Sequence, residues 1–365
     1  MTDVPAPAIG DAPPGESDRC IELEGVEVTV QARRGLMGSV PVAILRGVSL
    51  AIGKAETLAV VGESGSGKTT LGRATLRLAP ITAGRVIFEG EDITDLPEGR
   101  LKPFRRRAQA VFQDPYASLS PYMRVRDLVA EPLEVQHVGT NAERRERIIR
   151  ALESVRIRPA ADWLDRYPHT LSGGQRQRVS IARAMVLEPD YVVADEPVSM
   201  VDASSRAEIL GLLRSFQESR GVSYLYITHD LASARHIAAR VAVMYLGRVV
   251  ELGEAREVID RPLHPYTKAL LAAVPDPDPA NRTRLRPVVA GEPPSIMAPP
   301  TGCTFHPRCP AFMPGTCDMI DPPLIQVDPK RQVACHLYPA PDAVATPPAA
   351  SPGVSPPASP APSER

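Results

Sequence analysis

The chain has 365 residues, of which 43% are apolar and 23% charged, a balance typical of a globular protein with a sizeable core. Its 42 Lys and Arg residues balance 43 Asp and Glu residues, so the net charge of -1 gives nucleic acid no bulk electrostatic attraction. No apolar run approaches the roughly 20 residues that span a bilayer. The acidic, proline-rich start also differs from a signal peptide, and together these features predict a soluble protein on the cytoplasmic side.

Proline, at 40 residues, is concentrated in three stretches. Residues 1–18 and 339–365 are rich in Pro, Ala and Ser, which predicts two disordered tails because too little apolar surface is available to offset ordering entropy. The third stretch, 262–323, also contains cysteines and apolar residues, which indicates a small irregular module. We therefore predict a main domain over 19–255 and an extension over 256–338.

The main domain alternates between short apolar runs and helical patterns. Three runs predict buried strands: Thr57–Val61, Tyr191–Ala194 and Ser223–Thr228. Further patterns predict a helix over Lys68–Leu78, a helical subdomain over about 115–190 and a terminal hairpin over 241–250. Strands separated by helices predict a parallel sheet with helices on both faces.

The most specific motif is a phosphate loop. Residues 62–69 (GESGSGKT) match G-x-x-x-x-G-K-[ST] between a predicted strand and a predicted helix, the context that this motif requires. Backbone N–H groups of such a loop turn toward phosphates, and the helix N-terminus adds a favourable dipole. Lys68 is expected to reach the β- and γ-phosphates, and the Thr69 hydroxyl suits Mg²⁺. A chance glycine-rich turn is the alternative.

Two adjacent acids, Asp195 and Glu196, close the second apolar run. Alone, they could form a helix N-cap. Next to a phosphate loop, Asp195 becomes the expected Mg²⁺ partner, and Glu196 is positioned to activate a water for attack on the γ-phosphate.

A third motif, residues 171–175 (LSGGQ), would by itself be only a flexible helix cap. Together with Gln113 in VFQDP, Asp202 in SMVD and His229 after the third run, the motifs resemble those of ABC-type ATPases. The resemblance implies an α/β fold: a P-loop NTPase of ABC type with a parallel-sheet core, a helical subdomain and a small irregular C-terminal extension containing cysteines.

The same resemblance implies an ATP site shared by two subunits. One subunit would bind the triphosphate and Mg²⁺ through Gly62, Ser64, Gly65, Ser66, Gly67, Lys68, Thr69 and Thr70, with Gln113 and Asp195 as further Mg²⁺ contacts. Gln113 would also be a catalytic residue that senses the attacking water and relays the state of the site to a membrane subunit. The partner would contact the γ-phosphate through Ser172, Gly173, Gly174 and Gln175. Glu196 would be the general base, His229 would hold the γ-phosphate, and Asp202 would bridge the two sites. The sequence departs from the family at Val30, where an aromatic residue usually stacks on adenine.

The extension narrows the resemblance to one branch. Residues 264–271 (HPYTKALL), 302–310 (GCTFHPRCP) and 333–337 (VACHL) resemble the C-terminal region of oligopeptide/dipeptide importer ATPases, and more closely the F-type subunit. This branch implies a second ABC ATPase in a heterodimer, two transmembrane permease subunits and an extracytoplasmic substrate-binding protein, with no nucleic acid. It also implies a peripheral location on the cytoplasmic face of the inner membrane.

Four of the five cysteines lie in the extension: Cys303, Cys309, Cys317 and Cys335. Because a reducing cytosol disfavours disulfides, clustered thiols there more often bind metal, either as zinc or as an iron–sulfur cluster. The spacing lacks tight C-x2-C pairs, which favours a cluster, and the resemblance implies [4Fe–4S]. Free structural thiols remain an alternative, as do His306 and His336 as further ligands.

The leading hypothesis is an ATP-hydrolysing subunit that powers import of peptides or related small solutes. The alternatives are a soluble ABC ATPase acting on DNA or ribosomes, and a regulatory subunit that does not hydrolyse ATP. The basic stretch Arg100–Arg107 could suggest nucleic acid, but no aromatic residues interleave to stack bases, and a solvated helix face explains it better.

Overall fold

The computed structural model describes residues 15–34, 38–273, 291–292 and 294–338. The predicted tails therefore lie largely outside the described residues, although Glu16–Asp18 form a 3-10 turn. No helix within these ranges combines the length and apolar character needed to cross a membrane.

The strands and helices alternate along most of the chain. The strands are β1 (Arg19–Arg34), β2 (Gly38–Gly53), β3 (Thr57–Val61), β4 (Ala83–Phe88), β5 (Glu91–Asp92), β6 (Ala108–Val111), β7 (Tyr191–Asp195), β8 (Ser223–Ile227), β9 (Arg240–Tyr245), β10 (Arg248–Glu254), β11 (Ile325–Asp328) and β12 (Arg331–Val333). The helices are α1 (Lys68–Thr75), α2 (Lys102–Arg107), α3 (Pro115–Ser118), α4 (Val125–Val135), α5 (Asn141–Ser154), α6 (Gly173–Met185), α7 (Ala203–Arg220), α8 (Leu231–Ile237), α9 (Ala255–Asp260) and α10 (Pro265–Ala272).

The larger sheet has eight strands in the order β11-β12-β10-β9-β3-β8-β7-β6, and its pairings from β9 to β6 are parallel. Every residue of β3, β7 and β8 is buried, as expected for strands covered on both faces. Successive residues of β3 alternate between two core clusters, with Ala59 and Val61 in one and Leu58 and Val60 in the other. The predicted α/β class with a parallel core is confirmed.

A second, antiparallel sheet in the order β2-β1-β4-β5 was not predicted from the sequence. Register shifts interrupt the pairing of β1 with β2 at several points, and these irregularities obscure the two-residue alternation that identifies a strand. Val26 and Val28 of β1 and Leu45 of β2 nevertheless point into the second core cluster. This sheet covers the face of the core that also contains α1.

Between β6 and β7, the chain forms four helices, α3 to α6, and the buried apolar residues of α4, α5 and α6 belong to the first core cluster. A complete capping box fixes the start of α5, since Thr140 Oγ1 accepts from Glu143 N and the Glu143 carboxylate accepts from Thr140 N. Charged side chains of α2 form ion pairs: Arg107 lies 2.6 Å from Asp190 and 2.7 Å from Glu89. These pairings agree with a solvated surface at the basic stretch.

The extension was predicted to be irregular, and it consists largely of turns with two short strands. β12 pairs antiparallel with β10, and β11 pairs with β12, so the extension lengthens the main sheet at its β10 side. Val333 of β12 is fully buried against Glu251 of β10. The extension is thus joined to the core by backbone pairing.

Candidate functional site

The carboxyl ends of four parallel strands meet at one edge of the sheet, and the predicted catalytic residues lie there. The phosphate loop begins at Gly62 directly after β3, and Asp195 ends β7 with Glu196 following it. Gln113 comes shortly after β6, and His229 shortly after β8. Because these strands all run in the same direction, their ends bring residues from distant parts of the chain to one site.

Lys68 is the first residue of α1 and is 7% exposed. Its Nζ donates hydrogen bonds to the carbonyl oxygens of Gly62 at 2.8 Å and Glu63 at 2.9 Å. Burial lowers the pKa of Lys68, while the carboxylates of Glu196, Asp195 and Glu63 act in the opposite direction. The ammonium group therefore lies inside the loop, where incoming phosphate oxygens can replace the carbonyls as its acceptors.

Two buried oxygens, Ser66 Oγ within the loop and Asp195 Oδ1 at the end of β7, have no hydrogen-bond partner within the described ranges. Burial raises the pKa of Asp195, and the Thr69 hydroxyl partly opposes this rise. The Asp195 carboxylate and the neighbouring Thr69 hydroxyl are hard oxygen donors of the kind that Mg²⁺ prefers, so this donor set fits a Mg²⁺-bound triphosphate. The other loop residues are accessible or half-buried: Ser64, Gly65, Gly67 and Thr70.

Glu196 is held by two other predicted catalytic residues. Gln113 Nε2 donates to its Oε2 at 2.8 Å, and His229 Nδ1 lies 3.0 Å from its Oε1. The Glu196 side chain is 16% exposed, whereas that of His229 is 67% exposed. Glu196 also has φ of 46°, a left-handed conformation that non-glycine residues adopt only where their surroundings hold them. The carboxylate is therefore oriented on both sides, as a general base requires.

The remaining predicted residues form a second group at the N-termini of α6 and α7. Ser172 and Gln175 make a capping box, with Gln175 N donating to Ser172 Oγ at 3.3 Å and Ser172 N donating to Gln175 Oε1 at 3.0 Å. A Cβ on Gly174 would lie 2.8 Å from Ser205 Oγ, and Ser205 N donates to Asp202 Oδ1 at 2.9 Å. Within the described part of the chain, no hydrogen bond joins this group to the phosphate loop.

Helix α6, which begins at Gly173, contacts the segment that follows β6. Arg183 Nη1 donates to the carbonyl oxygen of Ser118 in α3 at 2.8 Å. The Arg176 guanidinium lies 4.0 Å from the ring centroid of Tyr116, also in α3. The helix that starts in the second group is therefore connected to the segment containing α3.

Val30 lies in β1 opposite Val42 and is 38% exposed. A valine offers van der Waals contact but no aromatic face, so this position cannot stack on a base.

The predicted terminal hairpin is formed by β9 and β10, but the contact of its turn with the phosphate loop was not predicted. Gly247 N donates to the carbonyl oxygen of Ser66 at 2.9 Å, and Arg46 N donates to the carbonyl oxygen of Gly247 at 2.9 Å. A Cβ on Gly62 would lie 2.2 Å from the Met244 carbonyl oxygen, so only glycine lets the loop pack against β9. A glycine closing a predicted hairpin was the available signal, but its contact with the phosphate loop is long-range.

The four cysteines of the extension line one small pocket with a volume of about 10 Å³: Cys303, Cys309, Cys317 and Cys335. All are free thiols. Burial raises the pKa of Cys303 to about 11, and the three neighbouring cysteines add to this rise.

This arrangement does not support the predicted [4Fe–4S] cluster or a zinc ion. The pocket volume, close to the minimum for a single water molecule, leaves no room for a four-iron cluster, whereas a zinc ion held by thiolates needs no cavity of this kind. Among the described residues, no group of three or more His, Cys, Asp and Glu is arranged to hold a metal ion. The nearby imidazoles also face backbone carbonyls, with His306 Nδ1 lying 3.0 Å from the Cys303 oxygen and His336 Nε2 lying 2.9 Å from the Ile320 oxygen.

The start of α10 is fixed by a fully buried carboxylate. Glu251 of β10 accepts hydrogen bonds from Leu263 N and His264 N, both at 2.9 Å, and burial raises its pKa. His264 then caps α10, because its Nδ1 accepts a hydrogen bond from Tyr266 N at 3.0 Å. These contacts join the extension to the main sheet.

We expect His264 to make the folded chain less stable in acid. Burial lowers its pKa from 6.5 to about 3, so between these values the unfolded chain binds a proton that the folded chain does not. The stability contributed by this site is present above pH 6.5 and is lost as pH falls toward 3, by at most about 1.4 kcal/mol per pH unit. His264→Asn retains a capping acceptor without the titration, so its thermal midpoint should fall less between pH 7 and pH 5.

The control for this measurement is His236→Asn, which changes an exposed histidine on α8. Its midpoint should follow that of the wild type across the same pH range. Parallel curves for wild type and His264→Asn would contradict the prediction.

Comparison with known proteins gives a consistent result for both parts of the chain. A family model described as ABC transporter matches residues 45–199, and one described as Oligopeptide/dipeptide transporter, C-terminal region, matches residues 250–317. A Brucella ovis protein, named as a candidate peptide import ATP-binding protein, is 48% identical over 292 residues, covering 80% of this chain and 91% of its own. Oligopeptide transport ATP-binding protein AppF of Bacillus subtilis is 44% identical over 324 residues, covering 87% of this chain and 97% of its own.

Solved structures also match. The dimeric structure of MJ0796, a bacterial ABC transporter cassette, has a TM-score of 0.58 and 30% identity, covering 65% of this chain and 99% of that chain. A dimeric post-hydrolysis state of the same cassette, bound to ADP and Pi, matches with the same TM-score, identity and coverage.

Proposed function

This chain belongs to the ATP-binding proteins of ABC transporters, which are ATPases coupled to transport, and we propose that it powers the import of peptides or related small solutes. The observation that carries this proposal is the cluster of Lys68, Gln113, Asp195, Glu196 and His229 at one sheet edge. The match of the extension to oligopeptide/dipeptide transporters supports peptides as the cargo class.

In the proposed mechanism, Lys68 and the loop N–H groups bind the triphosphate. Thr69 and Asp195 would hold Mg²⁺, which would neutralise phosphate charge. Glu196 accepts a proton from the attacking water, and Gln113 and His229 orient its carboxylate. His229 is exposed enough to turn toward the γ-phosphate during turnover. Positioning and electrostatic stabilisation are the main contributions that proteins make to phosphoryl transfer.

We propose that the second group serves the ATP of a partner ATPase. Ser172, Gly173, Gly174 and Gln175 lie at the N-terminus of a 13-residue helix, which attracts anions. Asp202 is exposed beside them and would contact the opposite subunit. Because hydrolysis then needs donors from both subunits, it depends on closure of the pair. The dimeric ABC cassette among the similar structures supports a pair of ATPase subunits. From the resemblance of the extension, we propose that the partner is a different chain, which makes the pair a heterodimer.

We propose that the membrane subunits dock on a groove between α4 and the segment after β6. The groove has a volume of about 310 Å³ and is lined by three exposed apolar side chains: Leu78 at 51%, Phe112 at 41% and Val135 at 62% exposure. Phe112 directly precedes Gln113, so a permease helix seated in this groove would lie beside the catalytic site. A chain docked through this groove would lie peripherally on the cytoplasmic face of the membrane.

Introducing a charge into this groove is expected to release the permeases. Val135→Glu would bury an unpaired carboxylate on docking, so we expect at least about 10-fold less permease to co-purify with this chain. Met319→Glu, at a 73% exposed position in the extension, is the matched control. Equal recovery from the two variants would remove the groove as the docking site.

The cargo and partners are tested by purification from solubilised membranes through a tag on this chain. We expect two polytopic permeases and a second ATPase, and proteoliposomes containing this assembly and its binding protein should take up labelled peptide when ATP is supplied. Recovery of ribosomal or DNA-repair proteins without permeases would contradict the import function and favour a soluble ABC ATPase.

Iron–sulfur ligation by the four cysteines of the extension stays a prediction from the sequence. The four thiols line a single pocket, and that pocket would have to open to admit a cluster. Iron and acid-labile sulfide measured in the anaerobically purified transporter test it directly, and a content near zero would contradict it.

A further inference from the structure

The extension holds the phosphate loop at one residue, Glu63. The Arg308 guanidinium donates from Nη1 to Glu63 Oε2 at 3.0 Å and from Nη2 to Glu63 Oε1 at 3.2 Å, a bidentate ion pair. The Arg308 side chain is 8% exposed and that of Glu63 is 28% exposed, so water screens the pair only partly. Arg308 Nη1 also lies 3.4 Å from the Tyr245 hydroxyl oxygen at the end of β9.

A second contact reaches the backbone of the same residue. Glu63 N donates a hydrogen bond to the Tyr266 hydroxyl at 2.8 Å, and Tyr266 is 1% exposed in α10. The ring of Phe305 lies 5.4 Å from both Tyr245 and Tyr266, and the two tyrosine rings are 4.5 Å apart. Both residues that contact Glu63 therefore lie against one buried aromatic cluster, which limits their side-chain freedom.

Glu63 also connects these contacts to the phosphate-binding lysine. Its carbonyl oxygen accepts a hydrogen bond from Lys68 Nζ at 2.9 Å and another from Ser66 N at 3.2 Å. The position of Glu63 therefore affects both the lysine ammonium and the turn of the loop. The motif itself places no requirement on this residue, because it occupies a variable position of G-x-x-x-x-G-K-[ST].

We propose that Arg308 and Tyr266 are positioning residues for ATP binding, through which the extension fixes the phosphate loop in its binding conformation. This inference rests on the proposed ATPase site. A loop fixed before binding does not lose conformational freedom on binding, so preorganisation raises nucleotide affinity. Neither residue contacts the predicted catalytic carboxylate, so their effect is on binding of ATP more than on the chemical step.

The expected result is a separation of KM from kcat. In the assembled transporter, Arg308→Gln should raise the KM for ATP about 10-fold while changing kcat little, because the contact acts equally on bound substrate and transition state. Tyr266→Phe removes only the hydroxyl and keeps the ring, and it should raise KM in the same direction. Arg308→Lys keeps the charge but not the bidentate geometry, so it should recover part of the affinity.

The matched control is Arg331→Gln. Arg331 lies in the same extension, where it pairs with Asp328 at 2.7 Å and donates to the Arg261 carbonyl oxygen at 2.9 Å, away from the phosphate loop. The Arg331→Gln variant should have a lower thermal midpoint than the wild type and the same KM for ATP. A general loss of extension stability would instead move the KM of both arginine variants together, and that result would overturn the proposal.

A double-mutant cycle checks the pair itself. If Arg308 acts through the Glu63 carboxylate, Glu63→Gln and Arg308→Gln together should raise KM no more than the larger single change. Additive effects, or a KM unchanged by both Arg308→Gln and Tyr266→Phe in an active transporter, would overturn this inference and leave the ATPase function standing. A wild-type transporter without ATP turnover would overturn both.

Discussion

Glu196→Gln should bind ATP normally and lose turnover, with kcat falling about 100- to 10,000-fold, the range expected when a general base is removed. The amide preserves the shape of the side chain but cannot accept the proton of the attacking water. Gln113 Nε2 and His229 Nδ1 lie 2.8 Å and 3.0 Å from the two carboxylate oxygens, so the substituted side chain should remain in position. Because ATP then binds without being cleaved, the closed pair of ATPase subunits should accumulate. Turnover and bound nucleotide in the assembled transporter measure both effects.

The control is Glu218→Gln, which changes an exposed carboxylate on α7 that pairs with Arg214 at 2.9 Å. Its turnover should equal that of the wild type. If Glu196→Gln also turned over normally, Glu196 would lose the role of general base. If it failed to bind ATP, the separation of binding from chemistry would be wrong.

The grouping of the predicted catalytic residues at one sheet edge could be predicted because each motif is local and follows a recognisable strand. Gly62 follows β3, Asp195 ends β7 and His229 comes shortly after β8, so the parallel-sheet prediction alone brings them to one edge. The hydrogen bonds of Glu196 to Gln113 and His229 could not be predicted, because spacing along the chain indicates which residues lie close together but not which of their atoms are in contact.

Other features could not be read from local pattern. The Arg308–Glu63 pair joins residues separated by 245 positions, and no periodicity encodes such a contact. The long strands β1 and β2 contain bulges that shift the register, which hides their alternation. The cysteine spacing predicted a metal centre, yet spacing gives no distance between side chains, and the pocket that the four thiols line is only about 10 Å³ in volume.

Lys68→Met should lose ATP binding itself, in contrast to Glu196→Gln. The methionine retains an apolar stem of similar length but has no ammonium group, so the β- and γ-phosphates lose their main cationic donor, and kcat/KM should fall at least about 100-fold. The carbonyls of Gly62 and Glu63 also lose the donor that now lies 2.8 Å and 2.9 Å from them, which should lower stability by about 1 kcal/mol. Binding of a fluorescent ATP analogue, turnover and the thermal midpoint measure these effects separately.

Lys54→Met is the matched control. Lys54 precedes β3, whereas the phosphate loop follows it, and its 55% exposed side chain lies 3.7 Å from Glu89. It should bind the analogue as the wild type does. If the lysine also stabilises charge on the γ-phosphate during cleavage, saturating ATP should not restore the kcat of Lys68→Met, because the variant then loses both ATP affinity and transition-state stabilisation. Wild-type binding by Lys68→Met would contradict the assignment of this lysine. A variant that binds weakly but recovers full kcat at saturation would restrict Lys68 to binding and leave the transition state to Glu196, His229 and the partner subunit.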